Sequence, residues 1–158
     1  MNADDFLTFA HILAVCWFVS GLTAVQICLV RAWQSDEVTT KAESLVEAAH
    51  YQGVLLVPGT IAIGASGLFM WAQLDYNLLT TGWLIVLESV YVVLLFVCLP
   101  LTGMGLRRAR LAALQARKRG AATAELEAAM GDNVPLVFSG IATLTVPFMA
   151  FLSVFKPF

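Results

Sequence analysis

Two side chains carry most of the chemistry open to this chain. His11 can donate a nitrogen lone pair to a metal or exchange a proton near neutral pH. Glu88 is the only charge in an otherwise apolar stretch from Gly82 to Leu101. A carboxylate alone in such surroundings is costly, or is neutralised by protonation. A histidine partner, an axial-ligand environment or a proton path would resolve that cost. A structural interhelical hydrogen bond is the plainer alternative. The other candidates are weaker. Cys16, Cys28 and Cys98 have no metal-binding spacing. Cys16 and Cys28 stand twelve residues apart in one helical stretch, which cannot fold back to bridge them, so the cysteines read as small hydrophobes. There is no CxxCH haem-attachment motif, no glycine-rich phosphate loop and no HExxH.

The elements that must position His11 and Glu88 follow from composition. Of 158 residues, 59% are hydrophobic and only 13% charged. The charged share is about half that of ordinary globular chains. The apolar residues fall into long, nearly uncharged runs over 6–30, 54–71, 82–101 and 134–155. A water-soluble protein of this size lacks the interior to hide four such runs. A soluble globular enzyme, a nucleic-acid-binding domain and a disordered chain are therefore excluded. The runs are continuous rather than alternating, which indicates helices and not barrel strands. The first run carries Asp4 and Asp5 at its amino end and is too long for a signal-peptide core. The expected fold is all-α: one four-helix membrane bundle over residues 1–158.

Basic residues set the expected orientation. Arg31, Lys41, Arg107, Arg108, Arg110, Arg117, Lys118 and Arg119 fall in the first and third connections, and only Lys156 falls on the other side. This places both termini outside and those connections in the cytoplasm. Trp33 suits the inner membrane boundary, and Trp71 and Trp83 suit the outer one, where the connection around Asp75 to Thr81 has no basic residue. The cytoplasmic parts read as amphipathic helical extensions. Val38, Ala42, Leu45, Val46 and Ala49 recur at helical spacing, Thr40 and Glu43 can form a capping box, and 106–118 is rich in Ala, Leu and Arg. Gly120 interrupts that stretch, and a short helix follows over 122–130. Gly21, Ala62, Gly64, Ser66 and Gly67 offer small surfaces for close helix approach. Pro58 and Pro147 are expected to kink their helices, and Gln26 to hydrogen-bond another helix.

In this frame His11 and Glu88 lie at depths matched to within about 2 Å, both toward the outer face. They are expected to share one polar site. His50 precedes the second span on the opposite side, most of the bilayer core away from His11, and reads as an interfacial residue. A haem held by His11 therefore needs an open site, a different second ligand, or a histidine from another subunit.

With HILAVCWFVSG in the first run, Pro58 and Gly67 in the second, Gly82-Trp83 opening the third and NVPLV opening the fourth, the chain resembles the DUF2269 family of small four-span bacterial membrane proteins. More distantly it is similar to HemJ-type protoporphyrinogen oxidases and to the membrane domain of copper-resistance protein D. The resemblance rests on HILAVCWFVSG, which holds His11, Trp17, Phe18 and Gly21. It rests also on Pro58 followed by Gly67, on Gly82-Trp83, and on NVPLV with the closing Lys156-Pro157-Phe158. It implies a multi-pass protein of the bacterial inner membrane, and His11 as a haem-ligand position. The basic residue expected early in the third HemJ helix is absent, and Asn133 stands where an acidic residue is expected before Val134-Pro135.

The leading expectation is a small membrane subunit of a redox or respiratory system. In it His11 and Glu88 bind a cofactor near the outer face, either haem b, with His11 as iron ligand, or a quinone. The alternatives are a HemJ-like oxidase acting on protoporphyrinogen and a non-catalytic assembly subunit. Membrane lipid is an expected partner, together with further copies of the chain or other integral membrane subunits. Nucleic acid is not.

Overall fold

The computed structural model describes residues 3–73 and 81–157. The expected connection around Asp75 lies outside the described residues. Among the described residues seven α-helices follow one another: α1 (Ala3–Gln34), α2 (Val38–Tyr51), α3 (Val57–Gln73), α4 (Gly82–Val93), α5 (Leu99–Arg119), α6 (Ala124–Met130) and α7 (Val134–Phe155). Two short π-helical segments, Gln52–Leu56 and Leu94–Cys98, join α2 to α3 and α4 to α5 without a break. Among the described residues, four helical runs are long and apolar enough to cross a membrane: Asp4–Gln34, Val38–Gln73, Gly82–Arg119 and Ala124–Phe155.

Both π segments have the same cause. Proline has no N–H, and its ring clashes with the carbonyl four residues earlier. Pro58 and Pro100 each stand two residues after a π segment. There the N–H groups of Val57 and Leu99 reach five residues back, to the carbonyls of Gln52 and Leu94. The wider turn relieves the clash while the helix continues. Pro147 sits inside α7, which stays α-helical.

The long helices pack as an antiparallel bundle. α1 lies against α2, α3 and α7, α5 lies against α2, α6 and α7, and α4 lies against α7. At one end Asp4, Leu7 and Thr8 of α1 flank Met70 and Gln73 of α3, and the Lys156 ammonium sits 5.4 Å from the Trp83 ring centre. At the other end Trp33 Nε1 donates to Asn133 Oδ1 over 3.1 Å, tying the end of α1 to the start of α7.

The α4–α5 run of 38 residues is about 57 Å long, roughly 27 Å more than a hydrocarbon core requires. The surplus is packed, not splayed. Leu106, Ala109, Ala113 and Ala116 of α5, Ala42, Leu45 and Ala48 of α2, and Leu126 and Ala129 of α6 are all buried in one cluster. Alanine lets these helices approach closely while their charged faces stay outside. Arg107, Arg108, Arg117, Lys118 and Arg119 are exposed. The ion pairs here, Arg108–Asp132 at 3.8 Å and Arg119–Glu125 at 3.9 Å, are exposed and contribute little.

Two local expectations change. α2 begins at Val38 with Glu37 as its cap residue. Thr40 therefore lies inside the first turn, and its hydroxyl donates to Glu37 Oε2 (2.7 Å) instead of forming a capping box with Glu43. The short helix starts at Ala124, because the Thr123 hydroxyl accepts from the Leu126 N–H and caps it there. Gly120 ends α5 in the left-handed region at φ 70°, as a residue without Cβ readily does.

Candidate functional site

The middle of α1 is held by glycine against the π segment Gln52–Leu56 and the start of α3. A Cβ on Gly21 would lie 2.6 Å from the Leu56 nitrogen, and one on Gly59 would lie 2.8 Å from the Phe18 backbone. The two backbones therefore touch at this crossing. Nearly three turns from Gly21 toward the amino end of α1, His11 meets Ser66, with Nδ1 and Oγ 2.8 Å apart. The His11 ring also lies beside Gly67, where a Cβ would stand 3.7 Å from its Cε1, in ordinary contact.

The Ser66 hydroxyl fixes the histidine tautomer. It has one proton, and that proton goes to the carbonyls of Ala62 (2.6 Å) and Ile63 (3.1 Å) in its own helix. Its oxygen is left to accept, so His11 donates from Nδ1–H. The imidazole then carries its lone pair on Nε2. A neutral histidine with one nitrogen anchored in this way offers the other to a metal, or accepts a proton or hydrogen bond from a ligand.

A second polar contact lies on the opposite flank of α3. Tyr91 of α4 donates its hydroxyl to the Thr60 carbonyl over 2.8 Å and lies over Gly64, where any side chain would displace it. The Thr60 hydroxyl is buried and donates to the Leu56 carbonyl at 2.7 Å. Glu88 is half-buried on α4, one turn before Tyr91 and on the same side of that helix. His11 and Glu88 make no hydrogen bond or ion pair with each other among the described residues. His11 is bound to α3, and Glu88 stands beside the tyrosine that reaches α3.

The remaining candidates are accounted for by packing. His50 is exposed at the far end of α2 and meets Tyr51 edge-on, ring centres 5.8 Å apart. The cysteines are free thiols, Cys28 and Cys98 buried and Cys16 exposed. The described residues hold no cluster of three or more metal-ligating His, Cys, Asp or Glu side chains. Gln26 does bind another helix, accepting a hydrogen bond from the buried Ser139 of α7.

Sequence reading missed two partners. Ser66 had registered only as a small residue. Its position one residue before Gly67, in a helix otherwise free of side-chain acceptors near that depth, was the available signal. Tyr91 was the other, three residues after the lone Glu88.

No curated protein and no solved structure matches the chain. A family described as predicted integral membrane protein, DUF2269, matches residues 5–157. With a match of that extent, and four helical runs among the described residues long and apolar enough to cross a membrane, the chain belongs to the DUF2269 family of integral membrane proteins.

Proposed function

We propose that this protein is a small membrane subunit of a redox system, in which His11 holds a haem b or a quinone in the outer half of the bundle. The observation that carries the reading is the anchored tautomer: Nδ1–H is spent on Ser66, and Nε2 keeps its lone pair. That donor suits one axial position of haem iron, or the hydroxyl of a quinol. Either group, when bound, supplies electron transfer. The chain's own work is to orient the ring through Ser66 and to keep it neutral by engaging its second nitrogen with a hydroxyl rather than a carboxylate. Glu88 provides an ionisable group in the outer half of the neighbouring α4.

The orientation belongs to the same proposal. Eight basic residues lie toward the α6 end and Lys156 at the other, which supports a cytoplasmic α6 end and both termini outside, in a bacterial inner membrane. Single cysteines placed at Arg117 and at Asp5, in a chain cleared of its own three, would report this. In intact cells, an impermeant maleimide is expected to label position 5 and spare position 117. The reverse pattern would overturn the orientation.

Absorbance of the detergent-purified protein, oxidised and reduced, tests the site, together with extraction for bound quinone. Haem at near one per chain, or a stoichiometric quinone, is the expected result. His11→Ala should remove it. Glu88→Gln should keep it bound with an altered midpoint potential or proton dependence, and His50→Ala should change neither. A colourless, quinone-free protein would reject the reading.

One observation favours a second reading, a non-catalytic assembly subunit. None of the residues of α4 is buried, so this outer half-span relies on lipid or another subunit for cover. A colourless protein that copurifies stoichiometrically with another membrane polypeptide would support that role.

A further inference from the structure

We propose that the end of α1 nearest α6 binds one phospholipid, and that its head group carries an ammonium beside the phosphodiester. An open groove of about 460 Å³ runs along this helix, lined by Gln26, Ile27, Val30, Arg31, Gln34 and Ser35. These residues recur at helical spacing and form one continuous face. Gln26 and Gln34 are separated by about 12 Å along the axis.

The polarity along that face is ordered. The deepest residue is Gln26. Its oxygen is occupied by the Ser139 hydroxyl, which leaves its amide N–H groups as donors toward the groove. Ile27, largely exposed, and Val30 follow as an aliphatic stretch. Arg31, Gln34 and Ser35 close the groove at the helix end, at the level where Trp33 bonds Asn133. A diacyl phospholipid presents the same order. Its ester carbonyls accept from Gln26, its chains lie on Ile27 and Val30, and its phosphodiester meets Arg31 and Gln34.

Charge selects the head group. Arg31 is already paired with Glu47, but over 3.6 Å and with both side chains about half exposed, so the guanidinium keeps donors for a phosphate oxygen. Asp36 and Glu37 follow immediately and are exposed. Those two carboxylates, next in the chain after the groove-lining Ser35, disfavour a second net negative charge and favour an ammonium. A phosphatidylethanolamine-like head meets both demands, whereas phosphatidylglycerol meets only the first.

The test is native mass spectrometry of the full chain released from nanodiscs of equal phosphatidylethanolamine and phosphatidylglycerol. One retained phosphatidylethanolamine per chain is expected. Arg31→Gln should lower its retention about tenfold, the worth of one charge-assisted hydrogen bond. Glu47→Gln, which frees Arg31, should raise retention. This second variant keeps the proposal falsifiable if the first disturbs folding. Retention that is the same in both variants and in the unaltered chain, or a preference for phosphatidylglycerol, would overturn it. Neither result depends on whether His11 holds a redox group.

Discussion

Gly21→Ala is expected to lower the unfolding temperature of the detergent-solubilised protein and to loosen α1 from α3. The new Cβ would stand 2.6 Å from the Leu56 nitrogen and 2.8 Å from both the Leu55 carbonyl carbon and the Leu56 Cα. Those are backbone atoms, so no side chain can turn aside to admit the methyl group. The helix must move instead, and overpacking of this kind costs about 1–3 kcal/mol. The cost reaches further than the contact. Leu22, Val25 and Leu29 of α1 are fully buried just beyond Gly21, and separating the helices opens gaps around them. Gly53→Ala is the control, since a Cβ there meets nothing within 4 Å, although it lies in the same π segment. Thermal unfolding followed by circular dichroism would compare the two. Equal midpoints for Gly21→Ala and Gly53→Ala would show that the close crossing carries no energy.

If His11 holds a haem or quinone as proposed, Ser66→Ala is expected to weaken its binding about 10- to 100-fold while leaving the fold intact. Loss of a partner that orients a metal-binding histidine typically has that effect on metal affinity. Alanine fits the space of serine, and it removes the acceptor that holds Nδ1–H. The ring is then free to rotate and to exchange tautomers, so Nε2 no longer faces one direction with its lone pair. Ser66→Thr keeps a hydroxyl at the same position and should restore most of the binding. Titration of the purified apoprotein with haem, or with a short-chain quinone, gives the affinities directly. Unfolding temperature separates positioning from structure: a structural role of the hydroxyl would lower it in the alanine variant, whereas positioning moves that variant's affinity and leaves it unchanged. Unchanged affinity in Ser66→Ala would show that the hydroxyl does not orient His11.

What the sequence determined is the part governed by solvent and by local chain chemistry. Four apolar runs too long to hide in a small soluble domain demanded four membrane helices, and among the described residues four helical runs are long and apolar enough to cross a membrane. Gly120 and the Ala-, Leu- and Arg-rich stretch before it read correctly as a helix and its end, because propensity and capping act over a few residues. Gln26 was legible as an interhelical bonder, because a polar side chain facing an apolar interior has to find a partner.

Tertiary structure alone decided which surfaces meet. Matched depth placed His11 and Glu88 in one layer, but depth along a helix says nothing about the direction a side chain takes around it. His11 bonds Ser66 of α3, and the side of α4 that reaches α3 does so through Tyr91. The π segments also escaped the sequence reading. Proline predicts a local distortion, but whether the chain kinks or widens depends on what presses against it. At Gln52–Leu56 the backbone of Gly21 fixes the path, and the helix accommodates Pro58 by widening its turn. The same holds for the charged extension of α5. Its composition announced a helix, but only the alanines of α2, α5 and α6, closing on one another, decided that it would stand as part of the bundle.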